Sequence, residues 1–186
     1  MKIPIEKQLE TIQEAIPKVK RLGILYCVST PQAIATAEET KSATKKLNMV
    51  PHPSSLDSNQ LNQLPLVAES LAKKLDAIYI PTDPILTAKE NLLKIIRAAS
   101  RSKVPIIAVG DTAVELGALM ALHCDFREIG EQAAPMAAKI LKGMKPMDIP
   151  SQIPLSHRLT VNLKTAKRLG ITFNPHFLSL AHRVIE

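Results

Sequence analysis

The sequence is poor in aromatic residues, glycine and long apolar runs, and each shortage excludes a class of protein. Aromatic side chains make up 3% of the 186 residues and Trp is absent, so few rings are present on which single-stranded nucleic acid could stack. Only 6 Gly accompany 14 Pro, which excludes collagen-like repetition. The longest apolar stretches, 104–109 and 117–122, are far shorter than the roughly 20 residues that cross a bilayer. No transmembrane helix is predicted.

What is present indicates one globular unit. Hydrophobic residues make up 46% and charged residues 22% of the chain, which is close to the globular average. The length suits a single domain. A net charge of +7 would suit an acidic partner, but the lysines and arginines are dispersed along helical segments. Nucleic-acid binding is therefore not predicted.

Chemical motifs are also scarce. The two cysteines, Cys27 and Cys124, lack the CxxC spacing of a zinc or redox site and are too few for a disulfide framework. We interpret them as buried thiols on strands, with a Cys-His metal site using His123 as the alternative. Dinucleotide and phosphate loops, the GxSxG elbow and the HExxH pair do not occur. We expect a non-enzymatic protein without cofactor or metal.

The first residues, MKIPIEK, place a proline and a glutamate where a secretory signal would have its apolar core. The chain as given therefore carries no export signal. This leaves a cytosolic protein, a mature form or a piece of a larger protein as alternatives.

Helical spacing alternates along the chain with short apolar runs. Strands are predicted at 21–27, 49–52, 75–80, 104–109, 118–123 and 158–163, the second interrupted by prolines. Helices are predicted between them, with Pro84 opening one, Asp111 capping a short one, and a long one at 126–141. The pattern predicts a doubly wound parallel sheet in a three-layer α/β/α arrangement, spanning 1–163, followed by a C-terminal helical tail at 164–186.

In such folds the ligand crevice lies outside the carboxyl ends of the strands. Four segments should meet there: 28–30, 52–55, 81–84 and 109–112. Thr82 and Asp83 place a hydroxyl and a carboxylate at a strand end, and Ser29 and Asp111 are further candidates. For each of them the alternative is ordinary helix capping.

Four segments, in order and spacing, carry a resemblance to a known family. They are PIEKQL with LGILY, DAIYIPTD, the stretch from GAL through Asp125 to Gly130, and AAKILKG followed by VNLKTAK. Together they resemble extracytoplasmic substrate-binding proteins of ABC transporters, the group with tryptophan- and tyrosine-binding members. This resemblance implies a type I periplasmic binding protein fold with two lobes closing on a small molecule, of which this chain resembles the second lobe.

The resemblance implies a truncated or partial solute-binding component for an amino acid or similar molecule, working with an ABC permease outside the cytoplasm. If the chain is the complete gene product, the missing signal implies a cytoplasmic protein instead. The alternative function is a cytosolic interaction or sensor module that kept the fold and lost ligand binding. Thr82, Asp83, Ser29 and Asp111 are the expected ligand contacts, carboxylates facing an ammonium group and hydroxyls facing a carboxylate.

Two expectations follow from how the chain departs from the family. First, polar residues that the family commonly has are replaced at three places: at Cys27, at the pair Pro84 and Ile85, and at 109–110. We therefore expect the usual ligand to bind poorly, or a more apolar ligand to bind instead. Without a first lobe, the apolar stripe of the 126–141 helix needs new cover. We expect either self-association through that stripe or repacking of the helix onto its own lobe.

Overall fold

The computed structural model describes residues 3–154 and 156–186, in which helices and strands alternate as predicted. The strands are β1 (Arg21–Cys27), β2 (Val50–Leu56), β3 (Ala77–Ile80), β4 (Ile106–Ala108), β5 (Met120–His123), β6 (Arg158–Asn162) and β7 (Arg183–Ile185). The α-helices are α1 (Ile5–Ala15), α2 (Pro31–Lys46), α3 (Leu64–Ala72), α4 (Lys89–Arg101), α5 (Asp111–Glu115), α6 (Phe126–Leu141), α7 (Leu163–Leu169) and α8 (Pro175–Ser179). Short 3₁₀ helices lie at Ser58–Gln63 and Pro146–Asp148.

The strands form one sheet in the order β2-β1-β3-β4-β5-β6-β7. β2 through β5 are parallel, in the order of a doubly wound fold, so the predicted α/β class is confirmed. The sheet is mostly parallel: β6 runs antiparallel to β5, and β7 is parallel to β6. Arg158 at the start of β6 pairs with His123 at the end of β5. Because β6 begins beside the carboxyl end of β5, it must run in the direction opposite to β5.

Helices cover both faces of the sheet. Along β3, Ala77 and Tyr79 belong to one hydrophobic core and Ile78 and Ile80 to the other, because successive side chains of a strand point to opposite faces. The first core packs against α1, α7 and α8, and the second against α3 and α4. The predicted three-layer arrangement is therefore observed.

The prolines of β2 do not interrupt it, contrary to our prediction for 49–52. Val50 donates its backbone N–H to Lys20, and the carbonyl of Leu56 accepts from Val28. The backbone N–H and C=O groups of the even-numbered residues of β2 therefore point toward β1. Pro51 and Pro53 lie on the outer edge, where a missing N–H removes no ladder bond and discourages pairing with another sheet.

Two local predictions need correction. Pro84 does not open a helix: residues 84–87 form a turn, and α4 begins at Lys89, because the Asp83 carboxylate binds the amides of Ile85 and Leu86 and closes the turn. Asp111 is the first residue of α5 rather than its cap, which is Gly110. The two helices predicted for the tail are present, and β7 was not predicted.

Helix α6 is the least buried of the long helices. It has the predicted bounds, and none of its side chains is fully buried. In the predicted stripe, Ile129, Ala133 and Met136 are half-buried while Phe126 and Ile140 are exposed, so the helix packs onto its own lobe only in part. The segment 126–154 carries six large exposed apolar side chains: Phe126, Ile140, Leu141, Met144, Met147 and Ile153. Within the described residues, no helix is long and apolar enough to span a membrane.

Candidate ligand-binding cleft

A cleft of about 570 Å³ opens at the carboxyl edge of the parallel strands. Three groups of residues line it: the loops after β3 and β4, the ends of β5 and the start of α6, and the first turns of α1 and α2. They are Ile3, Ile5, Gln8, Gln32, Thr36, Thr82, Asp83, Pro84, Thr87, Val109, Gly110, Asp111, Thr112, Ala113, Leu122, His123, Cys124, Phe126 and Ile129. Most of these side chains are apolar or uncharged. The cleft therefore offers an apolar surface with a few hydrogen-bonding groups.

Asp83 lies beneath the surface of the cleft, with 1% of its area exposed. Its Oδ2 accepts a hydrogen bond from the backbone amide of Cys27 at 2.6 Å, and its Oδ1 accepts from the amides of Ile85 and Leu86, both at 3.0 Å. Its backbone carbonyl accepts the hydroxyl of Thr87 at 2.5 Å. These contacts connect the end of β1 to the loop after β3. A carboxylate bound to backbone amides matches the alternative we gave for Asp83, in which it satisfies amides of its own chain rather than binding a ligand.

Thr82 has a different environment from its neighbour. Its side chain is exposed and lines the cleft. The loop that presents Thr82 is the one closed by the Asp83 carboxylate. A hydroxyl at this place can donate to or accept from a ligand.

Asp111, at the start of α5, also lines the cleft and is half-buried. Its Oδ1 accepts from the amide of Thr112 at 2.9 Å, and its Oδ2 lies 3.6 Å from the Arg183 guanidinium, which is closer to Glu115 at 2.6 Å. With one cation shared between two carboxylates, this corner of the cleft keeps excess negative charge. Such a corner favours a cationic group such as an ammonium.

Ser29 is placed elsewhere. It is exposed, and its hydroxyl accepts the backbone amide of Ser58 at 3.0 Å, which joins the loops after β1 and β2. It is not among the described residues that line the cleft. The structure therefore brings Thr82, Asp83 and Asp111 together and leaves Ser29 apart.

Several lining residues were not predicted from the sequence. One of them is the buried Gln8 on α1, whose amide donates to the carbonyl of Ile3 at 3.0 Å and whose carbonyl accepts the Tyr79 hydroxyl at 2.7 Å. Burial, helped by the charge of Glu39, raises the pKa of Tyr79 well above its usual range, so the phenol stays a donor. The sequence did contain a signal for Gln8: it is a polar residue at a position of α1 that faces the core.

His123 also lines the cleft, and its ring is fixed on both sides. Nε2 lies 3.1 Å from the Thr160 hydroxyl and Nδ1 lies 3.3 Å from the carbonyl of Cys124. Among the described residues no group of His, Cys, Asp and Glu could hold a metal ion, and both cysteines are free. Cys27 is buried on β1 as predicted, whereas Cys124 follows β5 and is half-buried, and burial raises the pKa of its thiol.

The end of β5, the start of α6 and the start of β6 meet in an ion-pair cluster beside the cleft. The Arg158 guanidinium contacts the carboxylates of Asp125 and Glu128 and the ring of His182. The hydrogen bond from the backbone amide of Arg127 lowers the pKa of Asp125 most; burial opposes it, and the charge of Arg158 adds to the lowering, so the pKa lies below its usual range. Asp125 therefore stays ionised at neutral pH.

Comparison with known proteins gives a consistent picture. A family model described as ABC transporter substrate binding protein matches residues 2–185. A tyrosine-binding protein of Clostridioides difficile is 29% identical over 91% of this chain and 48% of its own length. The chain spans about half the length of the curated relatives it matches.

Solved structures agree with that match. An ABC domain from Streptococcus pneumonia, solved in complex with L-Trp, has a TM-score of 0.83 and 28% identity, covering 98% of this chain and 60% of that one. A conserved domain protein from Vibrio cholerae has the same TM-score and identity, covering 97% of this chain and 60% of its own. The resemblance inferred from the sequence motifs is confirmed.

Proposed function

The chain belongs to the family of ABC transporter substrate-binding proteins, and we propose that it forms one lobe of a solute-binding component for an amino acid or a similar small molecule. The cleft is the observation that carries this proposal. Its volume of about 570 Å³ lies within the range of about 300 to 1,000 Å³ typical of small-molecule sites. Binding without catalysis is the activity we assign to it.

The lining suggests how a ligand lies in the cleft. Asp111 supplies negative charge for an ammonium group, and the Thr82 hydroxyl is placed for a carboxylate. Ile5, Leu122 and Ile129 supply an apolar surface for a side chain. We assign Asp83 the role of holding the loop that presents Thr82, since three backbone amides occupy its carboxylate.

The relatives support the ligand class and the transport role. One is named for tyrosine binding and another was solved with L-Trp. Both are longer than the matched region, so closure of a second lobe over the cleft is part of this proposal. So are delivery to an ABC permease and a location outside the cytoplasm.

A melting-temperature screen against the twenty amino acids tests ligand binding. A ligand at 100 times its Kd should raise the melting temperature by about 5 to 10 °C, since it adds about 2.7 kcal/mol to a domain of this size. Thr82→Val and Asp111→Asn should remove the shift. Ser29→Ala, at a strand end but outside the cleft, is the matched control and should keep it. Binding by the isolated lobe is contradicted if no amino acid shifts the wild type.

The exposed segment 126–154 favours a second candidate, an interaction module that associates through this segment. Half of the twelve large exposed apolar side chains found in the described residues lie there, and contiguous exposed apolar surface marks interaction sites. We propose that a second copy covers them. The wild type should then sediment as a dimer.

Paired substitutions separate this surface from apolar exposure in general. Leu141→Gln with Met147→Gln should give monomers, because both side chains are more than four-fifths exposed. Leu66→Gln on α3 is the control, since Leu66 is 71% exposed but lies on another helix. A wild type that stays monomeric at high concentration and binds no apolar dye would contradict self-association.

A further inference from the structure

The segment that leaves the sheet after β5 and the segment that returns to it as β6 meet at one arginine. Arg158, the first residue of β6, is paired in register with His123, the last residue of β5. Its guanidinium contacts the carboxylate of Asp125, which caps α6, and lies 3.2 Å from the carboxylate of Glu128 in the first turn of α6. The ion pairs that join α6 to the sheet are therefore both made by Arg158.

This attachment matters because α6 has little other hold on the lobe. None of its side chains is buried. Yet Phe126 and Ile129, on its first turn, form part of the wall of the ligand cleft. Because Ile129 is only half-buried and Phe126 is 84% exposed, apolar burial holds that wall weakly, and its position depends largely on the polar contacts at the start of the helix.

The guanidinium is itself held from the side of the sheet. One of its nitrogens contacts Nε2 of His182, and the backbone amide of His182 donates to the carbonyl of Leu159 at 2.8 Å. The side chains of Arg158 and Asp125 are 33% and 15% exposed, against 86% and 68% for the pair Arg127 and Glu131 within α6. A shielded pair is less screened by solvent than an exposed one.

We propose that Arg158 is a positioning residue for the cleft: by binding Asp125 and Glu128 at once, it holds the first turn of α6 and thereby sets the places of Phe126 and Ile129. One terminal nitrogen of the guanidinium contacts both carboxylates while the other contacts His182, an arrangement that the single ammonium of a lysine cannot reproduce. The effect on ligand affinity rests on the function proposed above. The effect on α6 does not, and it is measurable without a ligand.

Hydrogen exchange of the backbone amides at 129–134 measures the hold on α6 directly. In Arg158→Met these amides should exchange about tenfold faster than in the wild type, because the helix start loses its anchoring network. Arg158→Lys should fall between the two. Arg127→Met, which removes an ion pair within α6, is the matched control and should leave the rates near those of the wild type. The amides of β1 and β3 should not change in any variant.

A fluorescent reporter gives a second readout. Since the sequence has no Trp, Phe126→Trp places a single Trp on the first turn of α6. Its anisotropy should fall when Arg158→Met is added and stay unchanged when Arg127→Met is added. If Arg158→Met does not fold, Glu128→Gln removes one contact from an exposed position and should raise exchange about threefold. Unchanged exchange and anisotropy in folded Arg158 variants would overturn the proposal.

L-tryptophan is the probe for the consequence in the cleft. If it binds the wild type, Arg158→Met should weaken binding several-fold, with Lys in between, while Arg127→Met should not. Failure of L-tryptophan to bind the wild type counts against the proposed function, and the exchange rates still decide whether Arg158 positions α6. Faster exchange with unchanged affinity would overturn the link between α6 and the cleft.

Discussion

Replacing Asp83 by alanine should destabilise the whole lobe, because its carboxylate joins β1 to the loop after β3. The substitution leaves three backbone amides without their acceptor, those of Cys27, Ile85 and Leu86. Asp83 is 1% exposed, and Cys27 and Leu86 are fully buried, so water can replace few of these bonds. An unsatisfied buried donor costs about 1 to 3 kcal/mol, which gives a loss of about 3 to 5 kcal/mol if relaxation recovers part of it.

Such a loss is large against the typical stability of a domain, about 5 to 15 kcal/mol. It should lower the melting temperature by about 10 °C or more, since 1 kcal/mol corresponds to about 2 to 4 °C at this size. Asp83→Asn keeps one oxygen for the loop amides but turns an amino group toward Cys27. It should cost about half as much as alanine.

Urea unfolding followed by far-ultraviolet circular dichroism measures both variants. Asp111→Ala is the control, because that carboxylate is about half exposed and its surface ion pair should contribute less than about 1 kcal/mol. If Asp83→Ala unfolds at the same urea concentration as the wild type, the carboxylate does not hold the strand ends together. Loss of ligand response without loss of stability would instead assign Asp83 to direct ligand contact.

Three further predictions concern residues outside the cleft surface. Gly23→Ala should lower the free energy of unfolding in urea by about 1 to 3 kcal/mol, because a Cβ at residue 23 would lie 2.6 Å from the Leu75 side chain. Adding Leu75→Ala to the same chain should recover part of that loss. An unchanged urea midpoint for Gly23→Ala would refute the prediction. Tyr79→Phe should cost about 1 to 2 kcal/mol by leaving the buried Gln8 carbonyl unpaired, and a neutral result would mean that Gln8 finds another donor. Desolvation raises the pKa of Asp76, but the ion pair with Arg21 and the hydrogen bonds from Arg21 and from the Lys20 backbone outweigh it and hold that pKa below its ordinary value. The contribution of ionised Asp76 to the free energy of unfolding is complete above about pH 5 and is lost as pH falls below about 4 through the lowered folded pKa. The loss of stability caused by Asp76→Asn should therefore be smaller at about pH 3 than at about pH 7. A loss that is the same at both pH values would contradict the ion pair as its source.

The order and type of most elements could be predicted because they depend on local patterns. Apolar runs between helical stripes marked β1, β3, β4 and β5, and the carboxyl-end rule placed Thr82 and Asp111 on one edge. The direction of β6 could not be predicted, since an apolar run reads the same in either direction. It depends on where the chain returns after α6, as the pairing of His123 with Arg158 shows.

The remaining differences involve contacts between distant segments. β2 continues past Pro51 and Pro53 because the ladder bonds of the even-numbered residues orient both prolines outward. The turn after Asp83 replaces the predicted helix because its carboxylate also binds β1. Gln8 and His123 reach the cleft through the packing of α1 and β5 at the sheet edge. Apart from the polar Gln8 on the core-facing side of α1, no local pattern indicates these arrangements.

A titration of the isotopically labelled chain with L-tryptophan, followed by amide chemical shifts, tests the central claim that this carboxyl edge is a ligand-binding surface. Shifts should concentrate at Thr82, at 110–112 and at His123, with little change on α3 and α4. The same ligand shifting α3 and α4 instead, or shifting nothing at millimolar concentration, would contradict binding at the cleft of this lobe.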